Sequence, residues 1–378
     1  MGSNATGMPE EQVTSPIWHL LDRSYYGYAH LAILCKNQIF MVEGRPDYFS
    51  GALDQKERFL LLLEAAQEGG KDGFKEEDLW NWAIAPLLPI LEALPPAPEI
   101  ETFHDFLFAK STKYNLCAGP SGPIVTLVER PNPFFFRYSA LLSDKDCESF
   151  KTFSPSEVKI SKGWISSSSP WAIPEKVVLP DGTISSLRLL RNECQNPKDE
   201  LEAFRKINAA VRGDALIQRT YGLLKTDDER HYASLESENG VTLGLLLSHI
   251  DCKWDGTDIA AREEDPSLRP KWARQIRQSV ETLHAAGIVW GYADPANVKI
   301  DRNNDAWTTD CGDGYVESWM PKELAGTKEG DWHAVEKILG FQYLDECISL
   351  NRKSLTPLVC PHDPSGESFT MMFFPPSG

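Results

Sequence analysis

Four polar side chains in the segment 283–314 are the part of the sequence best suited to chemistry. Tyr292, Asp294 and Asn297 lie in a short polar loop, and Asp310 follows further along the chain. Carboxylate and amide oxygens are ligands for hard cations, and a carboxylate can also hold a guanidinium through two hydrogen bonds. A phenol has an ordinary pKa near ~10, so at neutral pH it donates a proton rather than accepting one. The set predicts a site for a metal ion or an organic cation, with a proton donor beside it.

A helix and two short strands are expected to position these groups. Residues 268–286 have the periodicity of an amphipathic helix, and Gly287 follows its apolar end. Val298 to Asp301 and the chain from Trp307 to Gly312 are predicted strands, joined by a turn at 303–305. A helix, a loop and a hairpin in this order can carry catalytic groups on a rigid base under a cleft.

The spacing of these groups resembles that of the catalytic and metal-binding loops of eukaryotic protein kinases. Kinases use H-R-D-x-x-x-x-N and then D-F-G, because the first Asp orients the acceptor hydroxyl while the Asn and the second Asp hold the metal. Here Trp290-Gly291-Tyr292 stands in the H-R-D place and Asp310-Cys311-Gly312 in the D-F-G place. The resemblance therefore implies that Asn297 and Asp310 are the metal ligands.

Two departures from the kinase pattern predict that phosphate transfer is lost. Tyr292 takes the place of the catalytic carboxylate, and Asp294 takes the place of the Lys that lies near the transferred phosphate. A phenol cannot replace a carboxylate proton acceptor at neutral pH, and Asp294 reverses a charge where a phosphoryl group needs a cation. We therefore expect Tyr292 and Asp294 to be catalytic in a different reaction.

The resemblance extends upstream, to a region that in kinases binds the nucleotide. A kinase strand carries a Lys that grips the phosphates and pairs with a Glu of the next helix; Arg188 and Glu200 are the best matches here. His249 is predicted to line the nucleotide side of the cleft, with a hydrogen-bonded structural role as the alternative. The segment after Gly163 has serines and Pro170 instead of a glycine-rich lid, which argues against a phosphate cradle. These departures make Mg²⁺ and a nucleotide weaker candidates for the cofactor, and the sequence leaves the cofactor unknown.

The chain after Gly312 is similar to a fungal group of kinase-like proteins with the segment DFGGG…GW…EL…T…GD. Asp331 matches the buried Asp at a helix start that, in kinases, accepts hydrogen bonds from the backbone of the catalytic loop. An Asp at this place is also expected to cap its own helix. Both roles predict scaffolding rather than catalysis.

The predicted fold class is α+β, with a two-lobed kinase-like fold and an N-terminal α/β extension. The expected divisions are a flexible tail over 1–15, the extension of unknown role over 16–155, a small β-rich lobe over 156–250 and a shortened, reduced helical lobe over 251–378. The apolar segment from His30 to Val42, interrupted by Lys36-Asn37, predicts a hairpin around these two residues.

Composition and net charge limit the kinds of partner that are expected for the chain. The chain has 378 residues, 42% of them hydrophobic, and a formal net charge of −17, which argues against DNA as a partner. Its eight cysteines form no C-x-x-C pair, which is typical of reduced thiols in a cytoplasmic protein. The sequence contains neither the ~18-residue apolar run of a membrane span nor the apolar core of a signal peptide, so no membrane partner is expected.

Three functions fit the sequence. The first is a kinase-fold transferase of fungal secondary metabolism that acts on a basic small-molecule or aminoacyl substrate, with an arginine-containing cyclodipeptide synthase as the specific example. Aminoacyl-tRNA is then a partner if basic residues form one face, and the residues suited to this are Arg188, Arg191, Lys198, Arg205, Lys206, Arg212 and Arg219. The second is an inactive pseudokinase that serves as a binding or scaffold module. The third is a residual ATP-dependent kinase.

Overall fold

The computed structural model describes residues 18–95, 97–128, 140, 142–165, 173–190, 197–211, 215–226, 240–255, 266–312 and 314–343. The chain forms two compact units of mixed α and β structure. The first comprises 1–101, 105–134 and 165–173, and the second comprises 102–104, 135–164 and 174–378. The predicted tail over 1–15 lies outside the described residues.

The first unit is built on a five-stranded sheet in the order β1-β2-β3-β4-β5, in which only the β3–β4 pair is parallel. Its strands are β1 (His19–Tyr25), β2 (Ala29–Cys35), β3 (Gln38–Gly44), β4 (Ser111–Cys117) and β5 (Ile124–Val128). Its helices are α1 (Leu53–Gln67), α2 (Glu76–Ile84) and α3 (Leu88–Glu92), with 3₁₀ turns at Pro46–Phe49 and Ala85–Leu87. The predicted hairpin is confirmed, because Lys36 and Asn37 both have positive φ, at 46° and 60°, as a tight primed turn requires.

A buried carboxylate links the middle of this sheet to two cations. Glu43 on β3 is 8% exposed, and its side chain accepts hydrogen bonds from Lys113 Nζ and Arg45 Nε, each at 2.7 Å. Burial raises the pKa of Glu43, but the Lys113 and Arg45 contacts outweigh burial and bring the pKa to about 2. The ionised carboxylate is therefore favoured in the folded state.

We expect Glu43→Gln to lower the free energy of unfolding by roughly 2–3 kcal/mol at neutral pH, given ~1.4 kcal/mol per pKa unit. Because the pKa of Glu43 is depressed in the folded state, its contribution is present above the unfolded pKa and is lost as the pH falls from about 5 to about 2. Urea unfolding across this range checks the prediction. The exposed Glu57→Gln on α1 is the control, and a gap between wild type and Glu43→Gln that did not close in acid would contradict it.

The second unit contains a six-stranded sheet in the order β6-β10-β11-β9-β8-β7. Its strands are β6 (Thr152–Phe153), β7 (Lys159–Ile160), β8 (Lys176–Val178), β9 (Ile184–Leu189), β10 (Thr220–Thr226) and β11 (Val241–Ser248). Strands β7 to β11 pair antiparallel, and β6 adds to the β10 edge in parallel. Helix α4 (Phe103–Leu107) has residues in the ranges of both units, and the other helices before β10 are α5 (Asp144–Cys147) and α6 (Pro197–Ala210), which connects β9 to β10.

The rest of the second unit is a three-stranded sheet with two long helices. The strands are β12 (Cys252–Asp255), β13 (Val298–Asp301) and β14 (Ala306–Thr308), and the helices are α7 (Arg269–Ala285) and α8 (Lys328–Tyr343). Short 3₁₀ turns occur at Pro266–Leu268, Pro295–Asn297 and Lys322–Leu324. One apolar core includes residues of α6, β10, β11, α7, β13 and α8. No helix in the described ranges has the length and hydropathy needed to cross a bilayer.

The two units meet the predicted divisions only in part. Ala140, Leu142, Cys147 and Phe150 are buried in the core of the second unit, although they fall within the predicted extension over 16–155. The chain therefore enters the second unit well before residue 156, through α5 and β6. The predicted small and large lobes fall within this unit, except that 165–173 belongs to the first unit.

Candidate functional site

A fully buried carboxylate fixes the loop that follows α7. The two oxygens of Asp331, which is 0% exposed, accept hydrogen bonds from the backbone N–H of Trp290 at 2.7 Å and of Gly291 at 2.8 Å. His284 Nε2 lies 2.7 Å from the same carboxylate. The expected backbone contact is present, but the expected capping role is wrong. Thr327 Oγ1, rather than Asp331, accepts from a first-turn N–H of α8, that of Gly330 at 3.0 Å.

The loop itself is held by its own polar side chains. Asn297 Nδ2 donates to the carbonyl of Tyr292 at 2.9 Å, which closes the loop across its width. Asp294 Oδ1 accepts from the N–H of Ala296 at 2.7 Å, so this carboxylate caps the 3₁₀ turn that begins at Pro295. The structure thus brings Tyr292, Asp294 and Asn297 together in one rigid loop, and their chemical roles stay predictions.

The Asp310 segment returns to the same loop. Gly291 and Cys311 form a β-bridge, and Gly312 N–H donates to the carbonyl of Trp290 at 3.1 Å. Asp310 has a left-handed backbone, with φ 54°, which turns the chain directly after the strand. Burial raises the pKa of the neighbouring Cys311 thiol, so that this sulfur is neutral and structural.

Tyr292 lies flat against the backbone of the segment that follows Asp310. A Cβ atom added to Gly314 would lie 2.3 Å from ring atoms of Tyr292, so the ring occupies the space that any side chain at Gly314 would need. This contact places the ring of Tyr292 beside the chain that follows the Asp310 turn.

Arg188 is the cation at the centre of the site. Its guanidinium forms ion pairs with Glu200 of α6 and with Asp310, and all three side chains are partly buried. Asp310 Oδ2 also lies 3.1 Å from the Thr309 hydroxyl, which donates to it. The predicted Arg188–Glu200 contact is therefore present. The additional contact with Asp310 neutralises the carboxylate that was expected to attract a cation.

The predicted nucleotide-side residue His249 lies at the end of β11. Its Nδ1 is 3.0 Å from Ser186 Oγ, and Ser186 precedes Arg188 by two residues on β9. Burial, and secondarily the charge of Lys176, lower the pKa of His249, so its imidazole is neutral at neutral pH. Sequence analysis missed Ser186, although strand alternation on the Arg188 side could have identified it.

The site does not contain a preformed metal centre in the part of the chain that the structure describes. No three His, Cys, Asp or Glu side chains there are arranged to hold an ion. Asn297 uses its amide N–H on the Tyr292 carbonyl, and Asp310 faces Arg188. A metal ion bound by Asn297 and Asp310 would have to compete with the guanidinium for the same carboxylate.

The basic residues suggested for a tRNA face are partly neutralised by nearby acids. On α6, Arg205 pairs with Glu202, and Lys206 Nζ is 3.9 Å from the same carboxylate. Lys198 Nζ lies 3.6 Å from Asp146, while Arg191 and Arg212 fall outside the described residues. The described part of α6 therefore has less free positive charge than its sequence suggests.

We expect Arg188→Met to create a cation site. The substitution leaves the carboxylates of Glu200 and Asp310 without their shared guanidinium, and it should cost roughly 1–3 kcal/mol of stability. Mg²⁺ or Mn²⁺ should then raise the Tm of the variant more than that of the wild type, because two unpaired carboxylates attract a divalent ion. Thermal unfolding with and without metal measures this. Arg205→Met, which breaks a more exposed pair on one helix face, is the control, and an equal metal response in all three proteins would contradict the expectation.

Comparison of the chain with models of known protein families gave no match, and a search of curated proteins gave none either.

Proposed function

We propose that the second unit is a two-lobed protein-kinase-like scaffold that no longer transfers phosphate and that acts on a basic, arginine- or amine-type small molecule or aminoacyl group. The reaction class is acyl transfer to an amine, of which arginine-containing cyclodipeptide synthesis in fungal secondary metabolism is the example. The observation that carries the kinase-like scaffold is the contact of Arg188 with both Glu200 and Asp310, and Tyr292 in place of a carboxylate carries the loss of phosphate transfer.

Topology supports the kinase-like scaffold. Five antiparallel strands lie in the order β7-β8-β9-β11-β10, and α6 connects β9 to β10, the third and fourth of these strands along the chain. The third strand carries a cation that pairs with an acid of the following helix, as the Lys and Glu of kinases do. A buried acid, Asp331, holds the backbone of the loop in the catalytic position.

Two observations support the loss of phosphate transfer. Tyr292 stands where a kinase has its catalytic carboxylate. Its carbonyl accepts from Asn297 and its ring packs against Gly314, so both contacts hold a phenol in that position. The nearest acid in the loop, Asp294, uses a carboxylate oxygen on the N–H of Ala296. Proton removal from an acceptor hydroxyl requires a base within hydrogen-bond reach, and a neutral phenol cannot keep a proton unless it gives up its own at the same time.

The proposed transfer uses the phenol as a proton relay. An amine nitrogen attacks the ester carbonyl of an aminoacyl group, a C–N bond forms and the ester C–O bond breaks. The proton lost by the amine ends on the departing hydroxyl, and Tyr292 passes it by accepting one proton while donating another. The charge of Asp294 favours a substrate with a positively charged side chain.

A non-catalytic binding module is the second candidate, and the state of the carboxylates favours it. Both carboxylates have partners within the protein. Asp294 accepts a hydrogen bond from the N–H of Ala296, and Asp310 pairs with Arg188 and accepts from the Thr309 hydroxyl. Carboxylates that already have partners within the protein are typical of a structural site rather than of a catalytic one. A pseudokinase would use the same surface to bind a ligand without turnover.

The test is product formation by the full chain. We expect no transfer of label from γ-labelled ATP to any acceptor, and we expect labelled arginine to move from arginyl-tRNA to an amine. Tyr292→Phe should reduce this transfer by roughly a hundredfold, in the range that proton-transfer groups contribute. Asp294→Asn should also reduce it, because Asn still caps the turn but lacks the charge.

Controls separate the candidates. Tyr221→Phe removes an exposed hydroxyl from β10 and should leave the product unchanged. Unchanged product in both Tyr292→Phe and Asp294→Asn would remove the proposed site. If no amine acceptor yields product and a ligand still raises the Tm, the binding module is the better description. Label from ATP on an acceptor would support the residual kinase instead.

A further inference from the structure

Strand β5 is an exposed edge of the sheet in the first unit. All five of its residues, Ile124–Val128, pair with β4 in an unbroken antiparallel register, and its other side faces no strand of the described chain. The strand reads IVTLV, so it contains neither a charge nor a proline. Ile124 is 41% exposed and Leu127 is 62% exposed. A regular, apolar edge of this kind is open to pairing with another strand.

The other sheet edges in the described ranges have the features that usually prevent such pairing. At the opposite edge of the same sheet, β1 contains Asp22 and Arg23, and its register is irregular before Asp22. The edge strands β6, β7 and β14 have only two or three residues each. Strand β12 combines an irregular register with two charged residues, Lys253 and Asp255. The unprotected edge at β5 is therefore an exception, which a partner strand would explain.

The surface beside β5 is also uncharged. The strand lies next to the 3₁₀ turn Ala85–Leu87, which belongs to a stretch without any charged residue, 83–91. Ala85 and Pro89 of this stretch are exposed. Two copies of a chain with a net charge of −17 repel each other, so they approach most easily where both surfaces lack charge. The β5 edge and its uncharged border provide such a surface.

The sequence of β5 is complementary to itself about a two-fold axis. In an antiparallel pair centred on Thr126, this residue lies opposite the same residue of the second copy. Val125 then lies opposite Leu127 of the second copy. At the ends of the strand, Ile124 lies opposite Val128. Every pair joins two apolar side chains or two threonines, which suits cross-strand contacts, and a two-fold arrangement closes after two chains.

We propose that the chain forms a homodimer in which the β5 strands of two copies pair antiparallel about Thr126. The two five-stranded sheets then become one sheet of ten strands, and neither β5 edge stays exposed. This inference concerns the first unit and does not depend on the function proposed for the second.

Analytical ultracentrifugation of the full chain tests the homodimer. We expect a mass of twice 42.4 kDa at roughly 100 μM and dissociation to single chains near roughly 1 μM, as is typical of a small interface. Raising NaCl from roughly 0.05 M to roughly 0.5 M should favour the dimer, because salt screens the repulsion between two acidic chains. The mass of a single chain at every concentration would overturn the inference, and so would dissociation by salt.

Substitutions of the exposed Thr126 test the position of the axis. Thr126→Lys and Thr126→Glu each place two like charges opposite each other, so each variant alone should be a monomer with the circular dichroism of the wild type. An equimolar mixture of the two variants should form a dimer again, because opposite charges then face each other. Misfolding would not be reversed by mixing.

Thr152→Lys is the matched control, since it makes the same change at an exposed position of the edge strand β6 in the second unit. This variant should dimerise like the wild type. A dimer that persists in Thr126→Lys, a mixture of the two Thr126 variants that stays monomeric, or a monomeric Thr152→Lys would each overturn the inference.

Discussion

Asp331→Ala is expected to lower the free energy of unfolding of the second unit by roughly 3–5 kcal/mol, because it removes a fully buried acceptor and leaves its donors unpaired. The carboxylate accepts from two consecutive backbone N–H groups, those of Trp290 and Gly291, and lies 2.7 Å from His284 Nε2. Asp331 is 0% exposed, so the donors that it satisfies are shielded from bulk water. The loop that carries Tyr292 should lose its fixed backbone together with this stability.

Urea unfolding measures the loss, and hydrogen exchange at the Trp290 and Gly291 amides reports on the loop directly. Asp331→Asn is the informative companion variant. Its amide keeps one oxygen that accepts a hydrogen bond, but its NH₂ group faces N–H groups that also donate. We expect its free energy of unfolding to lie between those of the wild type and of Asp331→Ala. Glu329→Ala, exposed in the first turn of the same helix, should change stability by less than about 0.5 kcal/mol. Unchanged exchange at both amides in Asp331→Ala would contradict the assigned role.

Local patterns predicted the elements well where the signal was contained in a few neighbouring residues. The hairpin at Lys36-Asn37 needed only a turn that tolerates positive φ between two apolar runs. The amphipathic helix predicted over 268–286 is α7, at Arg269–Ala285, because its apolar period matches the helical repeat. The strand and the helix that bring Arg188 to Glu200 were instead placed by the resemblance to the kinase pattern.

The partner of each polar group was harder to predict, because it is set by residues far away in the chain. Asp310 was read as a free metal ligand, yet its carboxylate meets Arg188, 122 residues earlier. Asp331 was expected to cap its own helix, but Thr327 does so and leaves the carboxylate for the loop. The sequence also did not show that residues 142–153 pack in the second unit, because an apolar pattern does not specify which core it joins.

These contacts change the expected charge of the site. If Asp294 and Asp310 are counted alone, the site is acidic and should attract a metal ion or an organic cation. With Arg188 placed between Glu200 and Asp310, the protein supplies its own cation there. Selectivity for a basic substrate then depends more strongly on Asp294, which is why Asp294→Asn and Arg188→Met report on different properties.

Gly291→Ala is expected to cost roughly 3–5 kcal/mol or to prevent folding of the second unit, because its new methyl group would overlap backbone that cannot move independently. A Cβ atom at Gly291 would lie 1.9 Å from the carbonyl oxygen of Gly312 and 2.7 Å from the nitrogen of Gly314. These atoms belong to the turn that carries Asp310 past the ring of Tyr292. The close approach of the two segments therefore depends on the absence of a side chain at this position.

Gly287→Ala separates overlap from backbone strain. Gly287 has the same φ as Gly291, 71°, but a Cβ atom there meets nothing within 4 Å. The alanine at 287 should therefore cost only about 1 kcal/mol, the usual penalty for a side chain in the left-handed region. Urea unfolding of the two variants, with soluble yield as the second readout, measures the difference. Equal stability would mean that the loop and the Asp310 turn are not in contact, and the position of the Tyr292 ring against Gly314 would then be wrong.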